Sequence, residues 1–512
     1  MRPVVTAAEA YPELERAAVA AEREILFSFR VFDCETRLRT AEARKAAGGD
    51  DWAALLAALA ARGVRVRLQV SDFDPIGGAA LHEAAWRSLR RLAAAARARP
   101  GAGARIEAFP ALHPAEVGSA LRLLFAPKAR RELRKALERR DDDAPPLAKA
   151  APGLKNAMRR KTPRLHPASH HQKIAIVDRR WAMIGGMDVD ERRWDTPDHD
   201  RPAAETWRDV SLIVEGPRAA AVHAAAAGLW NRAAADWRAS PLLTDAPKGL
   251  ARPRKIEAKP PREDPAFRIV MTESAAEPGA FRFGPQPVRT GTEEAALELI
   301  GEAERFLYIE TQFLRSDRIA RALAAAGRRR KALELVIVLP FAPEHFAFEG
   351  RRDAAVRQGE ALQSRALGLI RRAFGSRLAV LSPAKPRRRG PEDSFVAHGA
   401  GIVYVHSKVL IADGKAAMVG SANLNDRSLR WDTEASALWR EAPPVAALLD
   451  RLAESWLGPA PGPADRVATW REAAEANRAA PPDLRQGFLL PHDERRARRF
   501  AKRYLFLPDE LF

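Results

Sequence analysis

The sequence has little cysteine: Cys34 is the single one among 512 residues. One thiol cannot form an intrachain disulfide, and it excludes zinc sites built on several thiolates, which agrees with a reducing compartment. Residues 1–6 lead into a charged helical pattern without the apolar core of a signal peptide, and no later run reaches the roughly 18 apolar residues of a membrane span. We therefore expect a soluble, cytoplasmic protein.

Acidic residues are the minority among the charged side chains, with 66 Asp and Glu against 85 Lys and Arg, which gives a formal net charge of +19. This balance favours anionic partners such as phosphodiesters, nucleic acid or an anionic membrane surface, and charge alone does not choose among them. Residues 128–161 are especially dense in Arg and Lys. We interpret this stretch as a solvated helix and loop in preference to a basic rim over a site, because runs of charge are usually exposed.

One short pattern occurs twice in the chain. In each copy a His is followed two residues later by Lys, seven later by Asp and fourteen later by Gly, with an apolar run between Lys and Asp. Side chains alternate along a strand, so each His shares a face with its Lys, and the apolar run indicates a central strand covered on both faces. The two copies are His171, Lys173, Asp178 and Gly185, and then His406, Lys408, Asp413 and Gly420.

The repeat extends beyond this pattern, because segments typical of strand, helix and strand precede the motif in both halves. Hydrophobic residues make up 46% of the chain, enough for sizeable cores. We predict an α/β fold of two similar α/β/α sandwich domains with mixed sheets, related by a pseudo-twofold axis, with the active site at their interface. The predicted units are a first repeat domain at 1–240, a linker at 241–285, a second repeat domain at 286–460 and a basic helical tail at 461–512.

Two histidines on equivalent strands meet if the domains pack about such an axis. One imidazole can then attack phosphorus while the other protonates the leaving oxygen, and a reference pKa near 6.5 allows both roles near neutral pH. The lysines supply positive charge where the phosphoryl oxygens gather negative charge in the transition state. The predicted catalytic set is His171, Lys173, Asp178, His406, Lys408, Asp413, Asp209 and Glu434.

The acidic members of this set rest on different grounds. Asp209 and Glu434 open equivalent strands in the two halves, so they are candidates to fix the tautomers of the histidines. Asp178 and Asp413 lie at turns, where Asp is also common for structural reasons.

Three further residues are predicted to bind substrate. Gly186 and Ser421 each follow the glycine that lies fourteen residues after the motif His. Ser421 and Asn423 also offer neutral hydrogen-bond donors. Asp188 stands in the first copy where Asn423 stands in the second, and an ionised Asp would repel phosphate. We therefore assign Asp188 a structural or hydrogen-bonding role.

The duplicated motif resembles that of the phospholipase D superfamily, whose hallmark is a repeated His-Lys-Asp pattern. Residues 306–313 look like the strand that opens the second half of that family, and residues 420–428 are close to the family's commonest sequence after the second motif. The resemblance spans residues 25–457. Its motifs are specific for the superfamily and much less specific for the substrate.

The resemblance implies a mechanism. His171 would form a phosphohistidine intermediate, and His406 would act as general acid and then as the base that activates water or an acceptor alcohol. No cofactor and no metal ion is expected. The expected activity is hydrolysis of a phospholipid, or transfer of its phosphatidyl group to an alcohol, by a monomer with peripheral contact to an anionic membrane surface.

Three alternatives stay open. A cardiolipin synthase-type phosphatidyltransferase fits the motifs, although that group generally carries N-terminal membrane spans. A nuclease acting on nucleic-acid phosphodiesters fits the charge. A protein that binds anionic lipid or nucleic acid without turnover is the non-enzymatic alternative, and two complete motifs argue against it.

Overall fold

A computed structural model of the chain describes residues 1–138, 151–258 and 261–512. These residues form two large mixed sheets with helices on their faces, which confirms the predicted α/β class. Part of the basic stretch 128–161 lies outside the described residues. Within the described ranges, no helix combines the length and apolar character needed to cross a bilayer.

The first sheet contains seven strands. They are β1 (Arg2–Val5), β2 (Glu24–Phe29), β3 (Arg65–Ser71), β4 (Ile106–Ala111), β5 (Ile174–Val177), β6 (Trp181–Gly185) and β7 (Val210–Glu215). Their order is β1-β7-β6-β5-β2-β3-β4, in which β2, β3 and β4 run parallel and the other neighbours antiparallel. The first His-Lys motif leads directly into β5, at the centre of the sheet.

The second sheet contains nine strands, and a separate two-stranded sheet accompanies it. The nine are β8 (Phe267–Ala275), β9 (Gln286–Thr290), β10 (Phe306–Glu310), β11 (Glu334–Val338), β12 (Leu378–Pro383), β15 (Val409–Ala412), β16 (Ala416–Gly420), β17 (Glu434–Trp439) and β18 (Leu489–Pro491); the small sheet pairs β13 (Val396–Ala397) with β14 (Ala400–Gly401). The order β9-β8-β17-β16-β15-β10-β11-β12-β18 repeats that of the first sheet, with β9 and β18 added at its edges. The pseudo-twofold axis itself stays a prediction.

Helices cover both sheets. In the first half they are α1 (Ala7–Val19), α2 (Ala41–Ala47), α3 (Trp52–Ala61), α4 (Ala79–Arg97), α5 (Ser119–Glu138), α6 (Pro152–Arg159) and α7 (Pro217–Ala239). In the second half they are α8 (Gly291–Glu302), α9 (Asp317–Arg329), α10 (Glu344–Ala347), α11 (Ala354–Phe374), α12 (Ala442–Leu457), α13 (Val467–Ala479) and α14 (Arg495–Phe500). A π-helical turn, Arg427–Trp431, precedes β17.

The central strands are buried on both faces, as their continuous apolar runs predict. In β5, Ile174 and Ile176 pack into one core while Ala175 and Val177 pack into another, and β15 alternates in the same way. The first of these cores contains residues of both sheets together with α7, α12 and α13. The two halves are therefore joined by a common hydrophobic core, and burial of that core fixes how the two motifs face each other.

Two of the predicted boundaries need correction. The predicted linker 241–285 contains β8, which pairs along its length with β17 and so belongs to the second sheet. Its Pro-rich and Lys-rich surroundings hid the strand pattern. The predicted helical tail 461–512 contributes β18, which pairs with β12, and Trp470, which is fully buried against Tyr308. The tail therefore completes the second half of the fold.

Asp178 and Asp413 occupy equivalent turns after β5 and β15. The Asp178 carboxylate accepts hydrogen bonds from the backbone N–H groups of residues 22–24, each at 2.8 Å, and the Asp413 carboxylate accepts from residues 304–306 at 2.8–2.9 Å. Each aspartate ties its hairpin to the start of a neighbouring strand. This corrects their predicted catalytic role: the motif's Asp is a structural anchor, and only its His and Lys point into the site.

We expect Asp178→Ala to lower the free energy of unfolding by about 2 kcal/mol, because three backbone donors lose their acceptor and Ala is disfavoured at a φ of 50°. Asp178→Asn keeps one acceptor oxygen and tolerates this φ, so it should lose less. Urea unfolding followed by circular dichroism measures both.

The matched control is Asp198→Ala, at an exposed aspartate, which should change stability by less than about 0.5 kcal/mol. Asp413→Ala should reproduce the effect of Asp178→Ala. Unchanged stability in both variants would contradict the anchoring role.

Candidate active site

Each motif histidine is held by a backbone hydrogen bond to the other half of the chain. The N–H of His171 donates to the carbonyl oxygen of Thr433 at 2.8 Å, and the N–H of His406 donates to that of Arg208 at 2.8 Å. In return, Thr433 N–H donates to the Ser169 carbonyl at 3.0 Å and Arg208 N–H to the Tyr404 carbonyl at 2.9 Å. These short parallel bridges bring the two motifs together at the junction of the halves.

Thr433 and Arg208 are each followed in the chain by a carboxylate residue. That carboxylate contacts the same histidine whose N–H is bonded to the preceding carbonyl. Nδ1 of His406 lies 2.6 Å from Oδ2 of Asp209, and Nδ1 of His171 lies 2.9 and 3.0 Å from the two oxygens of Glu434. Each imidazole is thus oriented by a carboxylate from the other half, with Nε2 left to react. The sequence predicted Asp209 and Glu434 as partners of the histidines but did not indicate that the pairs cross.

The two motif lysines lie beside the histidines. Lys173 Nζ donates to the carbonyl oxygen of His171 at 2.5 Å, and Lys408 Nζ donates to that of His406. Burial lowers the pKa of Lys173 to about 8 and that of Lys408 to about 7, against the opposing effect of nearby carboxylates. Both ammonium groups therefore sit in a desolvated site, where a bound anion would restore their ordinary charge state.

Three arginines that the sequence analysis did not select add to this positive field. The charges of Arg30 and Arg427 contribute to the lowered pKa of His171, and that of Arg193 contributes to the lowered pKa of His406, although burial and the adjacent lysine have the larger effects. The Arg193 guanidinium stacks 3.4 Å from the ring centroid of Trp207. Arg193 and Arg427 lie in or close to the Arg-Trp-Asp-Thr sequence that both halves carry, which is the signal that could have identified them.

The two histidine–carboxylate pairs differ in how they hold a proton. Burial lowers the pKa of both imidazoles, with further lowering by the neighbouring lysines. Burial also raises the pKa of Asp209 to about 6 and that of Glu434 to about 8, the latter with a contribution from the negative charge of Asp432. A proton shared in the His171–Glu434 pair is therefore held to higher pH than one shared in the His406–Asp209 pair.

Gly186 and Ser421 lie against the carboxylates, and substrate binding by these two residues stays a prediction. The Gly186 N–H is already bonded to the Val210 carbonyl at 3.1 Å, and a Cβ at Gly186 would lie 2.1 Å from Oδ1 of Asp209. At the equivalent place Ser421 donates its hydroxyl to Oε2 of Glu434. Asp209, the shorter side chain, therefore lies against a glycine. Glu434, the longer side chain, accepts a hydrogen bond from a serine.

Asn423 and Asp188 lie further along the two equivalent loops. Asn423 Nδ2 donates to Gln312 at 3.3 Å, and substrate binding by Asn423 stays a prediction. Oδ1 of Asp188 accepts from the Val31 N–H at 2.8 Å, and its Oδ2 lies 3.9 Å from Nζ of Lys173. These contacts agree with the structural and hydrogen-bonding role that the sequence suggested for Asp188.

Metal binding was not expected from the sequence. In the described ranges, no group of three or more His, Cys, Asp or Glu side chains is arranged to hold a metal ion. Metal-independent chemistry stays a prediction.

Comparison with known proteins places these motifs in a wider group. A family model described as "Cardiolipin synthase, PLD-like domain" matches residues 296–456, which include the second motif. Phospholipase D1 of Saccharomyces cerevisiae is 24% identical over 353 residues, covering 53% of this chain and 20% of that protein. Phospholipase D1 of Mus musculus is 26% identical over 274 residues, covering 48% of this chain and 25% of that protein. These matches support a place for the chain in the phospholipase D superfamily.

Two solved structures are also similar to this chain, at low sequence identity. Phosphatidylserine synthase of Haemophilus influenzae Rd KW20 is 11% identical, with a TM-score of 0.45 over 89% of this chain and 84% of that one. The phospholipase D family member Nuc of Salmonella typhimurium is 15% identical, with a TM-score of 0.25 over 38% of this chain and 95% of that one. This chain spans only about a fifth to a quarter of the length of the two phospholipase D1 proteins named above.

Proposed function

We propose that this protein cleaves a phospholipid at the phosphodiester bond on the head-group side and passes the phosphatidyl group to water or to an alcohol. The observation that carries the proposal is the crossed pair of imidazoles, each bonded through Nδ1 to a carboxylate of the other half and flanked by a buried lysine. The named activities of the phospholipase D relatives support the choice of a phospholipid.

The first step forms a covalent intermediate. Nε2 of His171 attacks phosphorus, a P–N bond forms, and the P–O bond to the head group breaks. His406 gives its proton to the departing oxygen, so that a neutral alcohol leaves and the phosphatidyl group remains on His171. Lys173 and Lys408 stabilise the negative charge that gathers on the phosphoryl oxygens.

The second step releases the product. Water or an acceptor alcohol loses its proton to His406 and attacks phosphorus, and the P–N bond breaks to restore His171. Hydrolysis yields phosphatidic acid, whereas transfer yields a new phosphatidyl ester. Asp209 and Glu434 hold the imidazoles in place through both steps, as a carboxylate does beside a catalytic histidine elsewhere.

The mechanism needs a proton on one histidine–carboxylate pair and none on the other at the same pH. The separate titration of the two pairs supplies that condition around pH 7, between the pKa of Asp209 at about 6 and that of Glu434 at about 8. Taken alone, this order would make His171 the acid, whereas the superfamily resemblance makes it the nucleophile. We propose His171 as the nucleophile on the strength of that resemblance, so in the reactive form the single proton lies on the His406–Asp209 pair.

The lipid reaction is tested by incubating mixed phospholipid vesicles with the protein, ethanol and a chelator, followed by mass spectrometry. We expect phosphatidylethanol to form, because an acceptor alcohol competes with water for the covalent intermediate. His171→Ala should reduce the yield by at least about 1,000-fold, since the covalent step has no substitute.

The matched control is His345→Ala, the same change at a histidine whose side chain is 53% exposed and paired with Glu349, which should leave the yield unchanged. If no lipid changes in any arm, the phospholipid proposal is wrong, and single-stranded and double-stranded DNA become the next substrates. A product that forms only without chelator would contradict metal independence.

The pH dependence of kcat/KM follows from the two pairs. We expect it to rise with pH through about 6, where the first of the two protons held by the pairs is lost, and to fall between about 7 and 8, where the second proton and the charges of Lys408 and Lys173 are lost. A soluble short-chain phospholipid measured from pH 4.5 to 10 provides the profile. Glu434→Gln should remove or displace the limb near pH 8, and a basic limb unmoved by this change would refute its assignment to the pair.

The order of the histidines is tested with a phosphodiester that carries a 4-nitrophenolate leaving group, which departs without a proton. We expect His406→Ala to release a burst close to one equivalent of 4-nitrophenolate and then to stall, because the nucleophile works and the base for hydrolysis is missing. His171→Ala should give no burst. Stopped-flow absorbance measures both, and the opposite pattern would exchange the two roles.

A further inference from the structure

Three large apolar side chains project from the surface where α5 begins. Leu123 is 64% exposed, Leu124 is 70% exposed, and Phe281, in the loop 276–285, is 78% exposed. The helix and the loop are bonded together, since Ala120 N–H donates to the Ala280 carbonyl at 2.9 Å. We call Leu123, Leu124 and Phe281 the apolar lip.

The exposure of the lip is not explained by the packing of α5. The helix has its own buried side, formed by Leu121, Ala129 and Leu133, so Leu123 and Leu124 are additional apolar residues on the outward side. Isolated exposed apolar residues are common, but a cluster of large ones marks a surface that is covered in use. The half-buried rings of Phe125 and Phe283, with centroids 6.2 Å apart, join the helix to the loop beneath the lip.

The surface around the lip is basic. Helix α5 carries six Lys and Arg against two Glu, and Lys128 and Arg131 lie on the outward side one and two turns after Leu124. Arg282 follows Phe281 directly in the loop, where its guanidinium is paired with Glu277. An apolar tip with a basic surround is the combination that favours an anionic bilayer surface, because the apolar groups enter the interfacial region while the cations meet the head groups.

The lip also lies next to the structure that builds the active site. Gly284 of the same loop packs so closely on the ring of Trp431 that a Cβ there would lie 2.6 Å from it. Trp431 begins the stretch that leads through Thr433 to Glu434, the carboxylate partner of His171. On this side Arg427, whose charge acts on His171, has a side chain that is 35% exposed, so this part of the protein surface lies close to the site.

We propose that the apolar lip inserts into the interfacial layer of an anionic phospholipid bilayer and holds this side of the protein, with the strand that carries Glu434, against the membrane. The inference builds on the proposed lipid function, since it names the surface through which that site meets its substrate. Leu123, Leu124 and Phe281 enter the bilayer, while Lys128 and Arg131 contact anionic head groups.

The test is vesicle flotation of the full chain, with vesicles of phosphatidylcholine alone or with 30% phosphatidylglycerol. We expect binding to the anionic vesicles, weakened by salt because the charges are at the surface. The triple variant Leu123→Ser/Leu124→Ser/Phe281→Ser should bind at least about tenfold more weakly. Leu484→Ser is the matched control, because Leu484 is 72% exposed in a segment beside the β13–β14 hairpin, and it should bind like the parent.

A second readout separates this inference from the proposed activity. On a soluble short-chain phospholipid the triple variant should keep the parent kcat/KM, while its activity on vesicles should fall in step with its binding. Flotation needs no turnover, so the lip can be judged even if no lipid is cleaved. Equal binding of the parent and the triple variant, or no binding of the parent, would overturn the inference. So would light scattering that shows a dimer of the parent and a monomer of the triple variant, because the lip would then join two copies of the chain.

Discussion

The active site depends on two backbone hydrogen bonds that cross between the halves, from His171 to Thr433 and from His406 to Arg208. Because each carbonyl belongs to the residue before a carboxylate, the same contact that joins the halves delivers Glu434 to one imidazole and Asp209 to the other. A displacement of one half would disturb both pairs at once. The hydrophobic core that includes both sheets makes such a displacement costly, so packing far from the chemistry sets its geometry.

The site concentrates cations where water is largely excluded. Isolated buried charges are unfavourable, and here the lysines and arginines are offset only in part by Asp209, Glu434 and Asp188. Burial is the main cause of the lowered pKa of each lysine, and a neighbouring cation lowers it further. The phosphodiester of the proposed substrate is a monoanion and would supply the missing negative charge.

Sequence reasoning identified the histidines, the lysines and their carboxylate partners, because a repeated pattern constrains strand position and side-chain direction at once. It placed Asp178 and Asp413 in the site wrongly, since proximity in sequence says nothing about which side of a turn a side chain faces. The crossing of the pairs was not predictable, because it is set by contacts between residues 197 and 263 positions apart in the chain. β8 was missed because a strand at the side of a sheet needs few of the apolar residues that reveal a central one.

The small difference between Gly186 with Asp209 and Ser421 with Glu434 has a consequence for how such a site can diverge. When two identical chains form a symmetric pair, every substitution appears twice and both histidines keep the same surroundings. Within one polypeptide, either copy can acquire a substitution alone. The other copy remains close to it because both belong to the same chain. Two copies within one chain are therefore free to differ in sequence. The proton affinity of one imidazole can change without the same change in the other.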